Sequence, residues 1–404
     1  MNFKHLITFA LLMSISFWGY GQDNQRFSKG NNSILVGAAR TNDYLPLLKG
    51  KRVAILTNQT ALVNGVHVVD TLLKRGVHIV EIFGPEHGFR GTANAGATVG
   101  NNIDPKTGIP VISLYGKHDK PTPDELKNVD VMLYDIQDVG VRFYTYISTM
   151  QRFMEAAAEN HKPFIILDRP DPNGFYVDGP VLEKKFKSGV GMQPIPIVYG
   201  MTIGEYAKML IGQHWLSNPN IKPDLTVITC LHYTHDSLYQ LPAKPSPNLH
   251  DMASVYLYPS LCFFEGTACS VGRGTKYPFQ LFGHPDFPDS LYSFTPQPEP
   301  GATDPKLEGQ VCYGFLVATN TKEALEKVDN RLQLKWVMEA YKLFPDKDKF
   351  FTRYFNTLAG TDKLQQEIRD GWNEKRIRKS WEPGLRKFEK IRKKYLLYPD
   401  FTKQ

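Results

Sequence analysis

The chain has 404 residues, with 48 Lys and Arg against 41 Asp and Glu and a formal net charge of +7. So mild a basic surplus, taken as spread along the chain, argues against nucleic acid and suits an anionic polymer such as cell wall. Four cysteines, Cys230, Cys262, Cys269 and Cys312, form no C-x-x-C pair and no dense framework, so the fold rests mainly on its core, and at this length two domains are expected.

The N-terminus reads MNFKHLITFALLMSISFWGYGQ: one lysine, an apolar run from Leu6 to Trp18, and a small-x-small exit at Gly19-Tyr20-Gly21. This is the layout of a cleaved export signal over residues 1–21, and its core is shorter than the about 20 residues of a membrane span. Cleavage removes a single charged residue, Lys4, and leaves a net +6. No cysteine follows the run and no later segment is long and apolar enough to span a bilayer, so a stable membrane anchor is not expected.

After a polar leader to about Asn32, short β-branched runs alternate with helical patterns. RVAILTN (52–58) predicts a buried strand, VVDTLLKRG (68–76) a helix closed by Gly76, and VHIVEIFG (77–84) the next strand. PVISLYG (110–116) is a third strand, PDELKNVD (123–130) a short helix, VDVMLYD (129–135) a fourth strand, ISTMQRFMEAAAENH (147–161) an amphipathic helix, and KPFIILDRP (162–170) a fifth strand. A Gly/Pro-rich stretch from Asp171 to Pro196 leads to a helix over 201–215, with Thr202 and Glu205 spaced as a capping box, and to a strand at 224–233. Such alternation implies right-handed crossovers and a mostly parallel, Rossmann-like α/β sheet. LPAKPSPN (241–248), with three prolines in eight residues, divides a catalytic domain at 31–240 from a C-terminal domain at 241–404. Beyond it lie a Tyr/Gly-rich segment, a Pro-rich loop, a strand around 311–319 and basic helices.

Ligands of open parallel sheets bind beyond the carboxyl ends of the strands. Those ends carry Thr57-Asn58-Gln59-Thr60, then GPEHGFRG (84–91), then Asp135 through Tyr144, then Asp168 through Gly174. Polar sets at nearly every end point to a shared cleft. No G-x-G-x-x-G follows the first strand and no G-x-x-x-x-G-K-[ST] occurs, so no dinucleotide or nucleotide cofactor is implied. His232 and His235 are the single close histidine pair, H-E-x-x-H is absent, and no metal is assigned. Ala268-Cys269-Ser270-Val271-Gly272 is a near-match to a serine nucleophile elbow after the apolar CFF run (262–264), which keeps a serine esterase or amidase as an alternative. Glycoside cleavage needs two carboxyl groups flanking the scissile bond, and Glu86, Asp135, Asp138 and Glu265 are the candidates. Arg90, Arg142 and Arg273 are suited to gripping an anionic group on a substrate, although each serves equally well in a structural ion pair.

The blocks TNQT (57–60), GPEHGFRG (84–91), DIQDVGVRFYTYI (135–147), DRPDPNG (168–174), GPVL (179–182), PIPIVYGMTIGEYAKML (194–210), PSPN (245–248) and YPSLCFFEGTACSVGRGTKYPF (258–279) carry a resemblance. Together they resemble the NamZ-type exo-β-N-acetylmuramidases, a bacterial glycoside hydrolase family. The resemblance implies an exported, periplasmic or secreted enzyme that removes N-acetylmuramic acid from non-reducing ends of peptidoglycan fragments. It also implies a second, smaller α/β (α+β) C-terminal domain, with the active cleft between the two. A catalytic role carries over to Glu86, oriented by His87, with Glu265 or Asp135 as its partner. Arg142 or Arg273 would hold the lactyl carboxylate, Asn58 and Gln137 the hydroxyl or acetamido groups, and Arg90, Tyr144 and Asn248 complete the substrate-binding set. The pattern departs at Tyr199, where the family usually carries histidine. No metal or organic cofactor is implied, and a non-catalytic muropeptide-binding protein is a further alternative.

Overall fold

A computed structural model describes residues 33–90 and 100–402. The expected export segment and Gly91 of the GPEHGFRG block lie outside the described residues. In chain order, α1 (Thr41–Leu48) leads into β1 (Arg52–Thr57), a small hairpin of β2 (Leu62–Val63) and β3 (Val66–His67), α2 (Val68–Lys74) and β4 (His78–Gly84). Then come β5 (Asn102–Ile103), β6 (Pro110–Ser113), α3 (Pro123–Leu126), β7 (Val131–Asp135), α4 (Tyr146–Glu159), β8 (Phe164–Leu167), α5 (Ile203–Gly212) and β9 (Leu225–Ile228). The seven strands run in the order β5-β6-β4-β1-β7-β8-β9, and every pair is parallel except β5 with β6. Chain order reverses between β1 and β7, as expected of a Rossmann-like sheet.

The central strands are continuous apolar runs because both faces are covered. Ala54 and Leu56 of β1 enter the core under α4 and α5, while Val53 and Ile55 enter the core on the opposite face. The Thr202–Glu205 capping box forms as the spacing predicts, with Glu205 N donating to Thr202 Oγ1 and Thr202 N to Glu205 Oε2.

The C-terminal part starts on α6 (Met252–Leu261), all ten residues of which are buried. A three-stranded antiparallel sheet follows, ordered β10 (Leu281–His284), β12 (Cys312–Leu316), β11 (Tyr292–Phe294). Helices α7 (Thr321–Val328), α8 (Lys335–Leu343), α9 (Lys347–Phe350), α10 (Arg353–Ala359), α11 (Lys363–Arg369) and α12 (Glu374–Arg392) complete it. This is the expected smaller α+β part. It shares one core with the parallel sheet, since Phe83, Tyr134 and Phe164 belong to the same buried cluster as Leu257, Phe355 and Phe388.

Arg142 shows how tightly the parts are joined, and its expected substrate role is corrected here. Its guanidinium is fully buried and donates to the carbonyls of Pro180, Ile195, Leu358 and Ala359 at 2.8 to 2.9 Å. Burial alone pulls it down to about 9. A guanidinium spent on four carbonyls from three segments clamps α10 to the parallel-sheet domain and does not hold a ligand.

Three buried carboxyls lie beyond the ends of β7 and β8. Asp138 accepts from the Tyr199 hydroxyl at 2.6 Å and from Gly140 N at 2.7 Å, while its Oδ1 has no partner among the described residues. Asp168 accepts from Thr202 Oγ1, Gly204 N and the hydroxyl of Tyr398 in the returning C-terminal tail. Burial pushes both up to about 6, and burial with help from Asp138 pushes Asp171 well above the ordinary carboxyl range. A carboxyl raised in the fold stabilises it most fully below its unfolded value of about 4, and that contribution is lost as pH rises through about 6. In urea unfolding, this cluster should therefore lower stability as pH goes from about 4 to about 7. Asp138→Asn keeps an oxygen for Tyr199 and Gly140 and should flatten that slope and raise the midpoint at neutral pH. An unchanged slope in the variant contradicts the assignment.

Candidate active site

Strand β4 ends at Gly84 and the chain turns at once. Gly88 N donates to Pro85 O at 2.9 Å, closing a turn whose third residue, His87, has φ +69°. That left-handed conformation favours glycine, and a histidine there costs about 1 kcal/mol or more. Gly84 is required as well, since a Cβ on it would stand 2.9 Å from Phe89 N. The turn delivers Glu86 to the N-terminus of α4, where the capping residue Thr145 donates its hydroxyl to Glu86 Oε2 at 2.6 Å. Tyr115, just beyond β6, also bonds to Glu86, and burial first and Glu86 second push its hydroxyl up to about 12.

Glu265 comes from the other half, in the 3-10 turn Cys262–Gly266 that continues α6. Gly266 lets that turn press on α10, because a Cβ on it would meet Phe355 Cα at 2.4 Å. Lys306 braces the same turn by donating to the carbonyls of Phe264, Glu265 and Thr267. Arg273 Nε and Nη2 both donate to Glu265 Oε1, at 2.8 and 2.7 Å, and the guanidinium lies 4.9 Å from the centre of the Phe279 ring. Burial pulls Arg273 down, but Glu265 outweighs it and the net shift is upward.

Glu86, His87 and Tyr115 on one side and Glu265, Arg273 and Tyr354 on the other line a single cleft of about 310 Å³. Its walls are aromatic: Tyr144 packs 4.7 Å from Tyr146 and 5.9 Å from Tyr258, and Tyr258 packs 5.0 Å from Phe279. Burial pushes the Tyr354 hydroxyl up, with Cys262, Glu265 and Glu86 adding, so this side chain of α10 lies in the field of both carboxylates. A concave, aromatic cleft with a few convergent polar groups is the usual form of a small-ligand site. Two carboxyl groups facing one such space have the composition that glycoside cleavage demands.

Of the residues singled out in the sequence, Glu86, His87, Tyr144, Glu265 and Arg273 line this cleft. The others are occupied elsewhere. Asp135 is fully buried and takes two bonds from Arg169, at 2.5 and 2.9 Å, which removes it as the partner carboxylate. Asn58 and Gln137 fill the crevice at the chain reversal: Thr60 Oγ1 donates to Asn58 Oδ1 at 2.6 Å, Gln137 N donates to Thr60 Oγ1, and Gln137 Nε2 donates to the carbonyls of Asp138 and Pro170. Arg90 pairs with buried Asp104 and covers the Phe89 ring, bracing the turn from outside. Asn248 is buried and donates to Gly301 O at 2.8 Å, tying two loops together. His235 is buried against Glu205 at 3.0 Å. Ser270 follows a 3-10 turn and not a strand, bridges Gly283 through its backbone, is buried, and accepts from Gly272 N, so no nucleophile elbow forms.

Tyr115, Thr145, Tyr146, Tyr258, Phe279 and Tyr354 also line the cleft; four of them lie within the quoted blocks without a role assigned to them. Tyr115 follows the third strand, so the same strand-end logic reaches it. Tyr354 sits on a late helix far from any motif, and only the three-dimensional fold brings it in.

Residues 53–253 match the family model for the N-terminal domain of the exo-β-N-acetylmuramidase NamZ, and residues 256–398 match that for its C-terminal domain. The two ranges meet within α6. The chain is 41% identical over 381 residues to the peptidoglycan β-N-acetylmuramidase NamZ of Bacillus subtilis (strain 168), covering 88% of this chain and 89% of that one. Two crystal structures of DUF1343 family proteins from Bacteroides fragilis NCTC 9343 are similar throughout. One is 45% identical with a TM-score of 0.84, covering 91% of this chain and 100% of its own; the other is 31% identical with a TM-score of 0.71, covering 90% and 99%. The chain belongs to the NamZ exo-β-N-acetylmuramidase family.

Proposed function

We propose that this protein is an exported exo-β-N-acetylmuramidase that hydrolyses the bond joining a terminal N-acetylmuramic acid to the next sugar in peptidoglycan fragments such as MurNAc-GlcNAc. The observation that carries this reading is the meeting of Glu86 and Glu265, from the two halves of the chain, in one aromatic cleft beside Arg273. Glu86 donates its proton to the glycosidic oxygen as the bond to the anomeric carbon breaks. Glu265, across the cleft, supports the positive charge that develops on the sugar; water supplies the hydroxyl group that the anomeric carbon gains, and its remaining proton returns Glu86 to the acid form. Thr145 and Tyr115 fix the Glu86 carboxyl, and the strained His87 backbone sets the angle at which it enters.

Of the two arginines considered for the lactyl carboxylate, Arg273 is the one that lines the cleft. A guanidinium carries five N–H donors, and the pairing with Glu265 uses its Nε and Nη2, which leaves Nη1 for an anionic group. Tyr144, Tyr146 and Tyr258 offer ring faces on which a sugar packs.

Export fits the apolar run Leu6–Trp18 and the exit at Gly21. The protein recovered from outside the cytoplasm should begin near Gln22 on N-terminal sequencing, and an intact Met1 there would refute cleavage.

Glu86→Gln should lower sugar release from a chromogenic N-acetylmuramide by at least about a hundredfold while circular dichroism and thermal midpoint stay unchanged. Full activity in that variant sinks the assignment, whereas Ser270→Ala should turn over like the parent. For Arg273→Gln, the preference for the N-acetylmuramide over the matching N-acetylglucosaminide should fall by about tenfold or more. An unchanged preference would remove Arg273 from carboxylate recognition.

A further inference from the structure

The positive charge, expected to be thinly spread, is concentrated in one stretch of the chain, which the fold makes a single helix. Positions 374 to 394 hold ten Lys and Arg against three Glu, a surplus of seven that equals the net charge of the whole chain. The remainder of the protein is therefore electrically balanced, and the surplus belongs to α12 and its last turn.

That helix buries Ile377, Trp381, Phe388 and Arg392 on one side. Two of its cations are structural: Arg378 bonds to Asp178 at 2.7 Å and Glu374 at 3.0 Å, and Arg392 to Asp400 and the carbonyl of Gly200, each at 2.7 Å. The other eight, Lys375, Arg376, Lys379, Arg386, Lys387, Lys390, Lys393 and Lys394, are all exposed. At 100° per residue they fall within about 120° of arc opposite the buried stripe, over about 28 Å of helix. No acid lies inside that arc. Glu382 and Glu389 run along one edge, and the exposed Arg386–Glu382 pair at 3.1 Å neutralises little. Pro383 is the one apolar residue on the face, so the helix has nothing to insert into a bilayer and any attraction is ionic.

We infer that this face of α12 docks the anionic wall polymer itself, through the free carboxylates of its stem peptides, and keeps the enzyme on the material whose chain ends the cleft processes. The inference rests on the substrate class proposed above. Charge complementarity is its ground: a rail of eight cations on an otherwise neutral protein fits a long, multiply charged partner better than a small anion. Holding the polymer at a second place raises the effective concentration of chain ends at the cleft without any new contact there.

The test compares the full-length protein with a Lys375→Glu, Lys379→Glu, Lys390→Glu variant, all three sites being exposed and outside the cleft. Co-sedimentation with purified insoluble peptidoglycan is measured before and after its carboxylates are amidated, and with phosphatidylglycerol–phosphatidylcholine vesicles. Binding to untreated peptidoglycan should weaken by at least about tenfold in the variant, on amidated material, and between low and high salt. Turnover of the small chromogenic muramide should be equal in the two proteins. Equal sedimentation of parent and variant, or no binding by the parent, overturns the inference, and tighter binding to vesicles than to peptidoglycan assigns the face to a lipid surface instead. Should neither protein turn over the muramide, the proposed activity fails while the sedimentation comparison still decides the docking.

Discussion

An ionised side chain taken out of water must find partners in the protein or it costs several kcal/mol. That requirement settles which polar residues of this fold face the cleft and which do not. The parallel sheet ends in a dense row of carboxylates, amides and arginines, and most of them satisfy one another. Arg169 answers Asp135, four carbonyls answer Arg142, Tyr199 answers Asp138, and Tyr398 with Thr202 answers Asp168. These bonds rigidify the rim, although Asp138 Oδ1, Arg142 Nε and Arg169 Nη1 have no partner among the described residues. The carboxylates that line the cleft are Glu86 and Glu265, each oriented by polar neighbours that stand beside it there: Thr145 and Tyr115 for the first, Arg273 for the second.

This division explains how much the sequence discloses. Hydrophobic period and length locate β1, β4, β6, β7, β8 and β9, with the end of β9 five residues short of the expected 233, because a buried parallel strand is an apolar run; the exposed two-residue β5 has no such run and is missed. Helix α6 escapes notice for the same physical reason. Buried on all sides, MASVYLYPSL has no polar face, carries a proline, and gives no helical period to read. The short strands β10 and β11 of the second sheet are similarly silent, being brief, glycine-bearing or half exposed.

Strand-end logic reaches the rim on which Glu86, His87 and Tyr144 line the cleft but does not distinguish a residue that faces solvent from one that faces its neighbour. Asp135 and Glu86 are both acids at strand ends, and what separates them is Arg169, 34 residues further along the chain from Asp135. Arg142 and Arg273 both read as grips for an anion, yet one meets four backbone carbonyls and the other an acid in the cleft. Pairings of this kind depend on contacts between distant segments, which periodicity and spacing do not carry.

The site also departs from the usual use of this topology. A Rossmann-like sheet offers its crevice where strand order reverses, here between β1 and β7. Asn58, Thr60 and Gln137 bond to one another across that crevice. The cleft is lined by residues that follow β4, β6 and β7, and the C-terminal part supplies its far wall. Because both walls share a single buried core, joined again by Arg142, the two carboxylates are held at a separation fixed by packing. Groups fixed before substrate arrives need no reorganisation as charge develops on the sugar, and this is where preorganised electrostatics contribute most to rate. The shared core thus gives a stiff platform on which one glutamate from each half lines the same cleft.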